Sequence, residues 1–160
     1  MKNKSVLFMT QAAMIAAIYV ALTVIFAPFG FGEIQIRISE ALTILPAFTP
    51  AAIPGLFVGC IIGNFIGGAI LPDIIFGSLA TLIGAIFTYL LRKKHKYLAP
   101  LPPIISNTII IPLILSFAYG IPIAIPVMML TVGIGEIISC GVLGMILYTP
   151  LAKFRHKIFK

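Results

Sequence analysis

From Val6 to Leu147 the chain is a succession of apolar runs, all but one near bilayer length and separated by short polar or proline-containing turns. Runs of this kind mark membrane-spanning helices, and they constrain the fold more than any other feature of the chain. Hydrophobic residues make up 61% of the sequence, charged ones 9%, and mean hydropathy is +1.18. A soluble protein of 160 residues could not hide so much apolar surface, because it needs a polar shell. The expected fold is therefore all-α: a polytopic membrane protein forming one integral membrane domain over residues 1–160.

Six spans are expected. They cover Val6–Phe29, Ile38–Phe48, Ala52–Leu71, Ile74–Leu91, Ile104–Tyr119 and Val127–Leu147. The first is too long for a signal-peptide core and lacks a persuasive cleavage site, so it is read as a retained helix. The second, cut off by Pro46 and Pro50, is short: as an α-helix it would rise only about 16 Å against a hydrocarbon core of roughly 30 Å. Basic residues settle the expected orientation. Lys2 and Lys4 precede the first span, Arg92, Lys93, Lys94 and Lys96 lie between the fourth and fifth, and Lys153, Arg155, Lys157 and Lys160 follow the sixth. With six crossings all three clusters face the cytoplasm, as the positive-inside rule requires, and Arg37 alone departs from it. Both termini are then cytoplasmic, and the net charge of +7 reports membrane topology, not nucleic-acid binding.

Two stripes of small residues concern packing. Gly55, Gly59, Gly63 and Gly67 recur every four residues in the third span and leave a groove along one helix face. In the first span Ala13, Ala17 and Ala21 share a face, with Ala12 and Ala16 beside them. That stripe reads as close helix packing or as a docking face for a second membrane protein. Cys60 and Cys140 have no metal-ligand spacing and read as small packing residues.

The acids demand more. A carboxyl at mid-bilayer costs about 2.5–3.5 kcal/mol, so such a residue usually faces a cavity or a partner. Glu136 lies in the middle of the sixth span with no basic neighbour, and Gly133 and Gly135 open space beside it. In the stretch GEIQIRISEAL, isoleucines alternate with Gln35, Arg37 and Ser39, a period-two pattern that predicts extended chain turning helical near Ile38. Arg37 and Glu40 then lie three apart and can pair, while Glu33 sits at the outer surface. Asp73 opens the fourth span, where helix capping would account for it. Asn64 lies in the glycine groove, with interhelical hydrogen bonding as the structural alternative. Asn107, one turn into the fifth span, is expected towards the cytoplasmic side. His95 and His156 sit in basic clusters as solvated positions. The candidate substrate-binding set is Glu136, Glu40, Arg37, Asn64, Asn107 and Asp73, with no catalytic and no metal-binding residues. A phosphate-binding GxxxxGK[ST] loop, a nucleophile constellation and paired histidines are all absent from the sequence, so a membrane hydrolase is not expected. A small proton-driven transporter with Glu136 as proton carrier, and a non-transporting scaffold, remain as alternatives.

The stretch QIRISEALTILPAFTPAAIPGLFVGCIIGN resembles the QueT family, substrate-binding (S) components of energy-coupling factor (ECF) transporters, and the resemblance extends over nearly the whole chain. It implies import of a queuosine precursor, a 7-deazaguanine base, across the bacterial plasma membrane, with a vitamin or other nucleobase-like cargo as the alternative within the same architecture. It implies partners as well: a transmembrane coupling subunit and two ATPase subunits. ATP would be used by those partners, and no cofactor is expected in this chain. In such families the alanine stripe of the first span docks on the coupling subunit. The resemblance carries that role to Ala13 and Ala17 first, then to Ala12, Ala16 and Ala21.

Overall fold

A computed structural model describes residues 2–30 and 36–158. Glu33 and Gln35, with the first residues of the alternating stretch, lie outside the described residues. All regular structure among the described residues is helical. Helix α1 is Lys2–Ile25, followed by one turn at Ala27–Gly30. Helix α2 is Ile38–Ala47, α3 is Ala52–Ile66, α4 is Leu71–Leu91 and α5 is Leu101–Phe117. The last helix, α6, starts as Ile125–Glu136, widens to a π-helix at Ile137–Leu143 and continues as Gly144–Ile158.

Side-chain contacts define the direction of each helix. Ala12, Ala16 and Thr23 of α1 meet Gly55, Gly59 and Gly63 of α3 in rising order, so these two helices run parallel. Along α2 the order reverses: Thr23 bonds Ser39, Tyr19 bonds Glu40 and Gln11 bonds Thr49. Cys60 meets Thr81 and Asn64 meets Gly77, so α3 and α4 are antiparallel. Thr88 bonds Ala99 and Ser106 bonds Ala80, which makes α4 and α5 antiparallel in turn. Thr108 beside Gly133 and Ile104 beside Gly141 complete the alternation. This is the up-and-down order expected of six spans, and four of the helices, α1, α4, α5 and α6, are long and apolar enough to cross a membrane. It gathers Lys4, the turn at residues 48–51, the basic turn at 92–100 and residue 155 at one end.

The glycine groove brings α1 and α3 into backbone contact. A Cβ on Gly55 would fall 2.7 Å from the Ala12 carbonyl oxygen, and one on Gly59 would fall 2.9 Å from Tyr19 Cβ. In lipid, such close approach supplies the packing that water would otherwise drive. The groove has three members within the helix, because α3 ends at Ile66 and Gly67 is its C-cap. Gly68 then turns the chain with φ of +78°, and α4 starts at Leu71, three residues before the expected Ile74.

The second span departs most from expectation. It is a 3-10 helix, and Ser39 to Pro46 are all buried. At about 2.0 Å per residue its ten residues rise about 20 Å, longer than an α-helix of equal length and still short of the bilayer core. It survives because it is the centre of the bundle, packed on α1, α3, α4 and α6. Protein encloses it, as irregular backbone at membrane depth requires. The core around it is made of Ile15, Tyr19, Leu42, Leu45, Leu56 and Cys60. Large apolar residues such as Phe65, Phe87 and Phe117 cover the outer surface, fitting a lipid solvent.

Candidate functional site

In a 3-10 helix residues three apart eclipse one another. Arg37, Glu40 and Thr43 therefore form one polar stripe along α2, although their sequence neighbours are apolar. Each member reaches a different wall. Arg37 precedes the helix in an extended conformation (φ −97°, ψ 101°), and its guanidinium donates to the side-chain Oδ1 of Asn64 on α3. Glu40 is fully buried and accepts a hydrogen bond at Oε1 from the Tyr19 phenol of α1. Thr43 Oγ1 lies 2.6 Å from the Glu40 carbonyl oxygen and 3.3 Å from Cys140 Sγ on α6.

Glu136 approaches from the other side. It is 4% exposed and accepts from the Cys140 thiol at 3.1 Å. One donor atom each from Glu40, Glu136 and Cys140 lie within 4.8 Å of one another. The Asn107 amide faces both carboxyls. Glu40 Oε2 has no hydrogen-bond partner, though an unsatisfied buried charged acceptor is costly. Two carboxyls this close in a low dielectric need a positive charge, a proton or hydrogen-bond donors between them. A metal ion would find three donor atoms here. A guest rich in N–H groups would find acceptors facing each other across the bundle centre.

Asn107 was expected towards the cytoplasmic side, which told against it as an outer-site residue. The structure corrects that inference, not the placement. Helix α5 begins at Leu101, so Asn107 stands about 9 Å along it, while Glu136 lies about 16 Å along the antiparallel α6. The two meet near mid-bundle. Asp73 is corrected too: Ile70 is the N-cap of α4, and it makes no side-chain cap bond. Asp73 stands two residues inside the helix and accepts from the Tyr119 phenol at 3.1 Å. Partial burial pushes that phenol above its ordinary value, so it stays protonated and donates. A Cβ built on Gly77 would lie 3.0 Å from Asp73 Oδ1 and 3.4 Å from Asn64 Nδ2. A polar path thus runs from Asp73 at the end opposite the basic turn, through Asn64 and Arg37, to the acid pair.

Tyr19, Thr43 and Cys140 were missed. Tyr19 and Cys140 do not stand out in a helical apolar run. One signal was available: Cys140 follows Glu136 by four residues, which places both on one helix face. The alanine stripe divides. Ala16 is buried against Gly59, and Ala12 is half-buried against Gly55, so both serve the α1–α3 contact. Ala13, Ala17 and Ala21 are exposed on the adjoining face. A separate groove of about 430 Å³ runs between α4 and α5, lined by apolar residues such as Phe76, Ile83, Ile110 and Phe117.

A helical membrane bundle with a buried, partly unsatisfied acid pair at its centre is the form of a small-molecule transporter. The family model described as the QueT transporter matches residues 9–153, most of the chain, and the chain belongs to that family of ECF-transporter S components. No curated protein and no solved structure matches it.

Proposed function

We propose that this chain is the cargo-capturing subunit of an ECF-type importer in the bacterial plasma membrane, and that its cargo is a queuosine precursor, a 7-deazaguanine base. The observation that carries this reading is the juxtaposition of Glu40 and Glu136, about 96 residues apart in sequence, where a buried carboxylate oxygen of Glu40 has no partner. A guanine edge presents an N–H and an amino group side by side, and carboxylate oxygens accept such pairs. An aminomethyl cation on the base would balance the second acid. Asn107 and Asn64 supply amides for the ring carbonyl or a ring nitrogen. Arg37 and Asp73 line the approach.

The remaining roles follow from the family. A transmembrane coupling subunit would dock on Ala13, Ala17 and Ala21, the exposed part of the stripe, and two ATPases would supply the energy. The test is a binding screen on purified protein, comparing 7-deazaguanines with guanine and common vitamins. Selective binding of a 7-deazaguanine, weakened about tenfold or more by Glu136→Gln with assembly on the coupling subunit intact, is the expected result. A vitamin bound in preference would replace the cargo. Uptake by vesicles lacking any ATPase would replace the mechanism with a proton-coupled one.

A further inference from the structure

The two acids are not equivalent, and the difference lies in what each already holds. Glu40 has Oε1 engaged by the Tyr19 phenol and Oε2 bare. Tyr19 is 1% exposed and pinned by its contact with Gly59, so it is not free to swing away. Glu40 therefore offers a cargo one oxygen. Glu136 has no phenol on it: the Cys140 thiol lies 3.1 Å from Oε2, and the Asn107 amide is shared between the two acids. A thiol is a weak donor, and an incoming N–H displaces it at little cost. Glu136 can therefore turn both oxygens to a guest.

We infer that Tyr19 divides the labour between the acids: Glu136 takes the paired N–H and amino group of the base edge, and Glu40 takes a compact ammonium on the opposite side. The physical reason is geometric. Two parallel N–H donors need two coplanar carboxylate oxygens, whereas an ammonium is a point charge that one oxygen satisfies. This assignment rests on the cargo class proposed above and makes Tyr19 a positioning residue.

Isothermal titration of the purified chain tests it with three probes. The first is 7-aminomethyl-7-deazaguanine. The second, 7-methyl-7-deazaguanine, lacks the ammonium. The third, 7-aminomethyl-7-deazahypoxanthine, lacks the exocyclic amine. The wild type is expected to bind the second and third probes each about tenfold or more weakly than the first. Glu136→Gln should erase the penalty for the missing amine and keep the penalty for the missing ammonium. Glu40→Gln should do the opposite. Tyr19→Phe, which keeps the packing and releases Glu40 Oε1, should change only the ammonium penalty, by about threefold or more. This last variant decides the matter should either glutamine variant fail to fold. The reverse pattern, or a Tyr19→Phe protein with unaltered discrimination, overturns the assignment while the cargo reading stands. A wild type that binds none of the three overturns the cargo reading, and the assignment falls with it.

Discussion

At the scale of single residues, the buried polar groups differ in the partners they already hold. Asn64 is fully buried, accepts from Arg37 and places its amide nitrogen 3.5 Å from Cys60 Sγ. Replacing it with leucine would leave a guanidinium short of an acceptor within the bundle. A hydrogen bond to a charged group contributes about 1.5–3 kcal/mol, so Asn64→Leu is expected to lower stability by that order. Thermal unfolding in detergent would register the loss, and an unchanged transition would remove Asn64 from the fold's polar framework. Glu136 behaves differently. Its carboxyl holds a weak thiol donor and an Asn107 amide shared with Glu40, so Glu136→Gln should change stability little while weakening binding. The acids were legible in the sequence because lipid rejects them without a reason. Their partners were not: Tyr19 and Cys140 are ordinary residues of apolar helices, and only the way α1, α2 and α6 meet gives them chemistry.

At the scale of elements, neighbouring alanines on α1 have opposite surroundings. Ala16 lies against the groove at Gly59, whose absent side chain leaves no spare volume there. Ala17, the next residue, is exposed. Ala16→Leu should therefore separate α1 from α3 and abolish the folded monomer peak on size exclusion, since the contact is backbone to backbone and has no flexible side chain to yield. Ala17→Leu should leave folding and cargo binding at wild-type levels and stop transport by the complex. Transport surviving Ala17→Leu and Ala13→Leu together would place the docking face elsewhere. Periodicity identified the stripe, but not which edge of it α3 would take, because residues 12 and 16 and residues 13 and 17 are both spaced by one turn. The form of α2 was equally hidden. Its length and prolines marked it as abnormal, and the 3-10 geometry follows from its central position, where packing on four helices overrides backbone preference.

At the scale of the whole molecule, the order of crossings was readable from apolar run lengths and basic clusters, since both are answers to the same solvent. The contact registers agree with it helix by helix, but orientation in the bilayer is a separate claim. It rests on the positive-inside rule, and the proposed cargo path depends on it. The polar path from Asp73 through Asn64 and Arg37 starts at the end opposite the basic turn, so a capture role requires that end to face outward. Ile123, exposed in the turn before α6, and Lys94, exposed in the basic turn, stand at the two ends. Cys60 and Cys140 are 0% and 1% exposed, so they will stay silent to a bulky thiol reagent. A membrane-impermeant maleimide added to intact cells should label Ile123→Cys and spare Lys94→Cys until the cells are opened. Labelling of Lys94→Cys alone in intact cells would turn the molecule over. The acid pair would then open towards the cytoplasm, and import would have to start from the wrong side of the membrane.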